Sequence, residues 1–510
     1  MSLLSDLRDF LTEHRRSPRK IVADAYFTAA DQEPDRLLLS FYRLLWRGSE
    51  VDEASLATEL YGPEADTNTN AYKKLKQRAV EQLSGQLILV GSGSPAFTAQ
   101  QRGFYRAHRE YVIAELLRAR NFKASAAYFH RKALLKASKY GLSSLEVLCL
   151  DALSYHAGVQ GGNAALFAEY NRRYEEAFLR MRAEREVTRC YVELSLESGT
   201  SPAGRLRKHA LAVESVERLD EQYNVHDLHP RYAFSYFTVK LVGWMTVSDH
   251  AMTMSVADES IRYFSRQSPL LPVPLSYFYM HKLLVYALRK DYENGIKVYQ
   301  KCLTLVERGL TNFYRLSQLT FFLLLQTGHY NEAAELYLRF TEDPIFQKVP
   351  PRVREQWLVY QAYLYYLYET GNITGGQWRN STSNFRVNKF LNSVPIFSKE
   401  KRGRNIPVLV LQILFTILRR DFVTAEARIE AIEKYTSRHL RRDENYRSNC
   451  FIRLLLLFPK CQFRYRDVDR RSKPWLRKLA ENPVELANQS YELELIPYDR
   501  LFGIALAGLG

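Results

Sequence analysis

The sequence predicts an all-helical chain whose paired helices stack into a superhelical solenoid, and three observations carry that expectation. From about residue 105 onward apolar positions recur every three or four residues and almost never alternate, the period of a helix and not of a strand. The helical stretches are separated by short breaks at Gly141, Gly161, Gly162, Pro202, Pro230, Pro272, Pro274, Gly309, Gly328, Pro350, Pro351 and Gly371, residue types that start or end helices. Helix starts fall near residues 105, 144, 184, 230, 274, 312, 351, 405 and 445, a period of about 38 to 54 residues that suits two helices per unit.

A chain of 510 residues exceeds the roughly 250 to 300 at which a single core stops growing, so several domains or an open-ended stack are required. Its 46% hydrophobic content, with 34 Tyr and 27 Phe, is enough apolar surface for nearly all of it to fold. The expected division is an N-terminal cap over residues 1–100, repeats over 101–445 and closing helices over 446–510.

Four turns place an aromatic residue three positions before a small one: Phe122 with Ser125, Tyr292 with Gly295, Tyr330 with Ala333, and Phe422 with Ala425. An aromatic there covers the junction of two helices, and the small residue lets them approach closely. The segments 328–344 and 291–303 match best, and in this they resemble tetratricopeptide repeats, which implies helical hairpins that bind other proteins. The spacing is longer and less regular than the repeat's usual length of about 34 residues, so the expectation is a tetratricopeptide-like arrangement. Antiparallel hairpins of another superhelical kind would give similar spacing.

Residues 1–100 differ. A short helix capped by Asp52 or Glu53, a basic helix from Asn68 to Leu83 and an apolar hairpin at Gln86 to Val90 resemble a winged helix. That resemblance implies a recognition helix carrying Tyr72, Lys73, Lys74, Lys76, Gln77 and Arg78 into the major groove of DNA. The competing reading is a plain cap, because an end repeat must cover a face that has no neighbour. The closing segments 451–459, 475–479 and 492–501 resemble those of a group of uncharacterised bacterial helical-repeat proteins, which brings no function with it. Leu495 to Leu501 is expected to lie over the last helix face as a lid.

Formal charge is +16, and Lys399 to Lys478 concentrates it, with 21 Lys and Arg against 9 Asp and Glu. Arg402, Arg404, Arg441, Arg442, Arg464, Arg466, Arg470, Arg471 and Lys473 form a candidate partner-binding patch, with Phe463, Tyr465 and Trp475 interleaved. Arginine beside aromatic rings grips phosphates and stacks bases, or grips an acidic protein surface. A solvated face, partly neutralised by Asp467 and Asp469, is the alternative.

Chemical motifs are scarce. Gly91-Ser-Gly-Ser lacks the Lys-Ser/Thr of a phosphate loop and the third glycine of a dinucleotide site. His226-Asp-Leu-His229 precedes Pro230 in a break and reads as a polar loop rather than a metal site. His130, His156, His250 and His281 stand singly in helical patterns and read as structural. Tyr360, Tyr363 and Leu367 fall at helical spacing and read as packing, and the Thr370 to Asn384 stretch reads as a surface loop able to make contacts.

Cys149, Cys190, Cys302, Cys450 and Cys461 show no CxxC spacing, which suits reduced thiols in a cytoplasm. The start, with Asp6 and Asp9, does not resemble a secretory signal. Ile406 to Leu418 is too short to span a bilayer and reads as a buried helix. The expectation is therefore a cytoplasmic, non-catalytic scaffold that needs no cofactor or metal and takes a peptide or helix of another protein in its concave groove. The alternative is a nucleic-acid-binding regulator; neither membrane nor small-molecule substrate is expected.

Overall fold

One backbone turn recurs along the chain and sets where its helices reverse. Asn121, Ser248, Lys290, Gly328, Gly371, Arg420 and Gln462 all adopt a left-handed conformation, with φ of 66°, 57°, 56°, 82°, 73°, 56° and 51°. In each case the next N–H donates to the carbonyl five residues back. The bonds run Phe122 to Leu117, Asp249 to Trp244, Asp291 to Tyr286, His329 to Leu324, Asn372 to Leu367, Asp421 to Thr416 and Phe463 to Phe458, all 2.8–3.1 Å. This is the Schellman closure, which satisfies carbonyls that a helix end would otherwise leave orphaned. From Ser248 to Gln462 successive turns lie 38 to 49 residues apart.

At Phe122, Asp249, Asp291, His329 and Asp421 the residue after the left-handed one opens the next helix. Asp249, Asp291 and Asp421 accept from the amides of Met252, Asn294 and Thr424 at 2.9, 3.1 and 3.2 Å, caps that each stabilise by about 1 kcal/mol. Stop and start signals are thus fused in two residues, which forces the two helices into an antiparallel pair.

The computed structural model describes residues 4, 8, 36–46, 52–91, 99–199, 201–268, 270–309, 311–343, 346, 349, 351–374, 378, 387, 406–439, 446–482 and 494–509. Among them every regular element is a helix and none is a strand. The chain divides into two compact units, Met1–Ala183 and Glu184–Gly510.

The first unit holds α1 (Arg36–Leu45), α2 (Glu53–Tyr61), α3 (Asn70–Gly91), α4 (Ala99–Ala119), α5 (Lys123–Tyr140) and α6 (Ser143–Tyr155). A short π-helical turn, His156–Gln160, follows α6, and α7 (Ala164–Leu196) begins here. Phe41, Tyr42, Tyr72, Leu75, Ala79 and Leu83 form the core of α1 to α3. Asp52 caps α2 by accepting from the Ala54 amide at 3.2 Å, as the sequence suggests. Residues 86–90, expected as an apolar hairpin, instead lie within α3. Four apolar residues in a row fit either helix or strand, and here the helix continues until Gly91. The wing of the expected winged helix is therefore not formed by this segment.

Helices α4 and α5 approach closely because small residues meet along their seam, with Gly103, Ala107 and Ala114 buried on one side and Ala126, Ala127, Ala133 and Ala137 on the other. A β-carbon at Gly103 would stand 2.3 Å from the Tyr140 ring.

The second unit continues through α8 (Pro202–Gln222), α9 (Pro230–Thr246), α10 (His250–Ser265), α11 (Pro272–Leu288), α12 (Tyr292–Leu303), α13 (Thr311–Thr327), α14 (Tyr330–Thr341) and α15 (Pro351–Glu369). It closes with α16 (Ile406–Leu418), α17 (Phe422–His439), α18 (Tyr446–Leu455), α19 (Leu457–Lys460), α20 (Tyr465–Glu481) and α21 (Tyr498–Ala507). Each helix from α8 to α18 packs on the next, and α11 also packs on α13. One continuous apolar core runs from Met280 to Leu506, with Trp357, Tyr363, Leu411 and Phe451 essentially inaccessible. Helix α16 covers the segment read as a buried helix, and Tyr360, Tyr363 and Leu367 are buried as their spacing suggests.

Three of the four aromatic-to-small turns are built as expected. Tyr292 stacks on His329 at 3.5 Å, Tyr330 is buried, and Phe422 stacks on Phe463 at 4.2 Å. Gly295, Ala333 and Ala425 are buried beneath them, and a β-carbon at Gly295 would stand 2.6 Å from Leu323 Cδ2. The fourth departs: Phe122 is 58% exposed, so it marks the turn without covering the junction. Small alanines already close the α4–α5 seam and leave no hollow for the ring.

The C-terminal segment is clamped down. Arg447 donates to both carboxylate oxygens of Glu494, Nε at 2.7 Å and Nη2 at 2.6 Å, and its Nη1 donates to the Leu479 carbonyl at 2.6 Å. The Tyr498 amide donates to Glu494 at 2.9 Å, and Gln326 donates to the Glu494 carbonyl at 2.7 Å. Leu495, Ile496, Leu501 and Phe502 are thereby held buried, with α21 against α16, α18 and α20. Removing one partner of a buried ion pair leaves the other charge uncompensated. Glu494→Ala should therefore cost about 3 kcal/mol of stability in denaturant unfolding, and an unchanged midpoint would show that this clamp does not hold the segment.

Candidate functional site

The structure divides the residues of the expected recognition helix between the buried and the exposed side of α3. Tyr72 is fully buried with Leu75 and Ala79, on the stripe that packs α3 into its core. Lys76, one turn from Tyr72, is half-buried and ion-paired to Glu53 on α2. Of the six residues expected on the recognition helix, Lys73, Lys74, Gln77 and Arg78 lie exposed on α3. A helix reads a groove with one continuous face. Lys73, Lys74, Gln77 and Arg78 share one such face, and Tyr72 and Lys76 lie outside it, towards the core.

In the basic C-terminal third, α20 buries Val468, Ser472 and Leu479 and packs Trp475 and Leu476 partly against the core. Arg464, Arg466, Arg470, Arg471 and Lys473 are all exposed there, and Arg470 meets Asp467 at 3.3 Å. Lys478 sits 4.4 Å over the Trp475 ring, so this aromatic is already used within the helix. Arg402, Arg404, Arg441 and Arg442 lie outside the described residues, as does most of the Thr370 to Asn384 stretch.

The sequence reading passed over a different surface, in the first unit. On α4, Val112 and Leu116 are 54% and 63% exposed, one turn apart and opposite the Gly-Ala seam. On α5, Tyr128 and Leu135 stand seven residues apart and outward; on α6, Leu148 and Tyr155 repeat that spacing, with Val159 four residues further on. Scattered surface hydrophobics are ordinary. Stripes at spacings of four and seven residues are different, because they are the seam by which one helix docks on another. The signal was present in the sequence as a second apolar periodicity, on α4 and α5 beside a first one made largely of alanine.

Several ionisable groups of this unit are absorbed into packing. Lys136 pairs with buried Glu110, Arg180 pairs with buried Glu146 at 2.9 Å, and buried His130 places Nε2 3.3 Å from Glu115. Burial holds the His130 pKa below its ordinary value, only partly offset by Glu115. Burial pushes the Cys149 thiol up to about 12, and that of Cys302 likewise, so neither is a thiolate at neutral pH. All five cysteines are buried and unbridged. His229 caps α9 through the Arg231 amide at 3.3 Å, and His226 packs on the Tyr263 ring at 5.6 Å. Among the described residues no cluster of His, Cys, Asp and Glu has the makings of a metal site. None of their helices is long and apolar enough to cross a membrane.

Among the described residues, the clefts of the second unit include two of note. The larger, about 740 Å³, is bordered by Thr327, Tyr330, Glu369, Asn372, Arg500 and Gly503. Arg500 reaches back onto Tyr330, which leaves one cation and one carboxylate on a shallow polar rim. The smaller, about 530 Å³, lies along α11 and α12, with Leu275 and Tyr279 on one side and Lys297 and Lys301 on the other.

No protein-family model, curated protein or solved structure matches this chain.

The histidines make the fold sensitive to acid. Burial, reinforced by the Arg315 charge, pushes His281 down to about 4 although its Nδ1 donates to the Tyr277 carbonyl at 2.8 Å. His130 and His250 are also lowered, chiefly by burial. A depressed histidine stabilises the fold above its unfolded pKa of 6.5, and that contribution is lost as pH falls towards 4. Stability should therefore drop between pH 6.5 and 4 by roughly 2 to 3 kcal/mol through His281 alone. Denaturant midpoints at the two ends of that window should converge in His281→Gln relative to the parent; equal slopes in both would contradict it.

Proposed function

We propose that this protein is a non-catalytic scaffold whose tetratricopeptide-like hairpins stack as a solenoid and bind segments of other proteins. The observation that carries the reading is the set of apolar stripes on α4, α5 and α6, exposed in water at helix-docking spacing while the opposite faces of the same helices are packed. Each such residue, already about half covered, would add roughly 1 kcal/mol when a partner buries the rest. The recurring turn supports the stack, because hairpins of nearly constant length repeat their side-chain arrangement along a line. Five buried, unbridged thiols suit work in the cytoplasm.

A second reading, a nucleic-acid-binding regulator, rests on the exposed cations of α20. The N-terminal half of that reading has lost Tyr72 and Lys76 to the core and to Glu53.

One experiment separates the two. The protein is purified from its native cell, its companions are identified by mass spectrometry, and nucleic acid is checked by absorbance ratio. A stoichiometric protein partner is expected, and Val112→Glu with Leu116→Glu should recover roughly tenfold less of it at unchanged thermal stability. Recovery of nucleic acid without any protein companion would instead favour the second reading.

A further inference from the structure

The cleft along α11 and α12 has a composition that the apolar stripes lack. Its floor and lip are apolar: Leu275 is buried, Tyr279 is half-buried, Leu305 adjoins them, and Leu270 is 52% exposed at the entrance. Its opposite wall carries Lys297 and Lys301, and none of the residues lining it has a carboxylate. Both lysines are exposed, and among the described residues neither meets an acidic group at ion-pair distance. That distinguishes them from Lys240 and Lys282 nearby in sequence, which are paired to Glu259 and Asp258.

The spacing is informative. Lys297 and Lys301 stand one turn apart on the same helix, so their attachment points are about 6 Å apart on one side of the groove. Carboxylates at positions i and i+4 of a second helix have the same separation. An apolar residue between them would reach the Leu275–Tyr279 floor, whose own members are also one turn apart. The volume of about 530 Å³ accommodates a few side chains rather than a domain. A bare phosphate chain would meet the lysines but leave the apolar half of the groove uncovered, so charge and floor together select an amphipathic acidic segment.

We infer that this groove is a docking site for a short acidic amphipathic helix, with paired Glu or Asp residues on Lys297 and Lys301 and a Leu or Phe on the floor. The inference rests on the scaffold reading and gives it a second, chemically defined contact. Apolar contact with Leu275 and Tyr279 supplies affinity, and the two cations set direction and register.

The test uses the full chain and a fluorescein-labelled peptide in which Leu pairs alternate with Glu pairs at helical spacing, measured by anisotropy. A second peptide replaces every Glu by Lys. The Glu peptide should bind the parent, lose affinity by ~tenfold or more in Lys297→Glu with Lys301→Glu, and keep it in Arg470→Glu with Arg471→Glu. The Lys peptide should show the reverse preference and gain on the Lys297/Lys301 variant, a gain that a misfolded protein would not give. Equal losses in both double variants would reduce the binding to the general positive field, and no binding to the parent would dispose of the groove; either overturns the inference. If a native partner still co-purifies while the peptide fails, the scaffold reading stands and only the groove is wrong.

Discussion

The left-handed residue at the end of each first helix is the constraint on which the second unit depends. It is paid in strain at Ser248, Lys290, Arg420 and Gln462, none of which is glycine, and it recurs at Gly328 and Gly371 where glycine removes the cost. In return the Schellman bonds close one helix, and at Asp249, Asp291 and Asp421 the next residue caps another, so the reversal there is complete in two positions. Everything packed beyond the turn follows from this. Gly295 must be small because the turn brings α12 down onto α13 at Leu323, and Tyr292 meets His329 because adjacent turns are brought level.

Hairpins of this kind hide one face on their own partner and the other on the next hairpin. The core from α11 onward shows both, since α11 packs on α12 and on α13. At the C-terminal end of that core, Glu494 and Arg447 draw in the final segment and Leu495 to Phe502 cover the remaining apolar surface. In the first unit the seam between α4 and α5 is built of alanine and glycine, and larger apolar side chains have been placed on the outside. That inversion of the ordinary arrangement is the reason binding, rather than chemistry, is the reading offered for the chain.

Much of the architecture was legible from the sequence, because the helical period is a local property. Ile406 to Leu418 was readable as a buried helix from its uniform apolarity, and the turns before Tyr292, Tyr330 and Phe422 were readable from the aromatic and small residues that follow them. The failures were non-local. Residues 86–90 fit either state, and only the absence of a break before Gly91 joins them to α3. Lys76 and Tyr72 looked like surface because nothing in the sequence ties them to Glu53 or to Phe41. The stripes through Val112, Leu135 and Tyr155 could not be singled out in the sequence, since a periodicity does not say which of two faces is buried.

The central claim, that the hairpins of the second unit are stacked so that each is stabilised by its neighbours, is tested most directly by hydrogen–deuterium exchange on Gly295→Val. The added side chain collides with Leu323 at the α12–α13 contact. In a stack with nearest-neighbour coupling, exchange rises in α11 to α14 while α18 to α21 keep their protection. A rise of equal size in every helix of the unit would mean that it unfolds as one indivisible core, and would contradict the account.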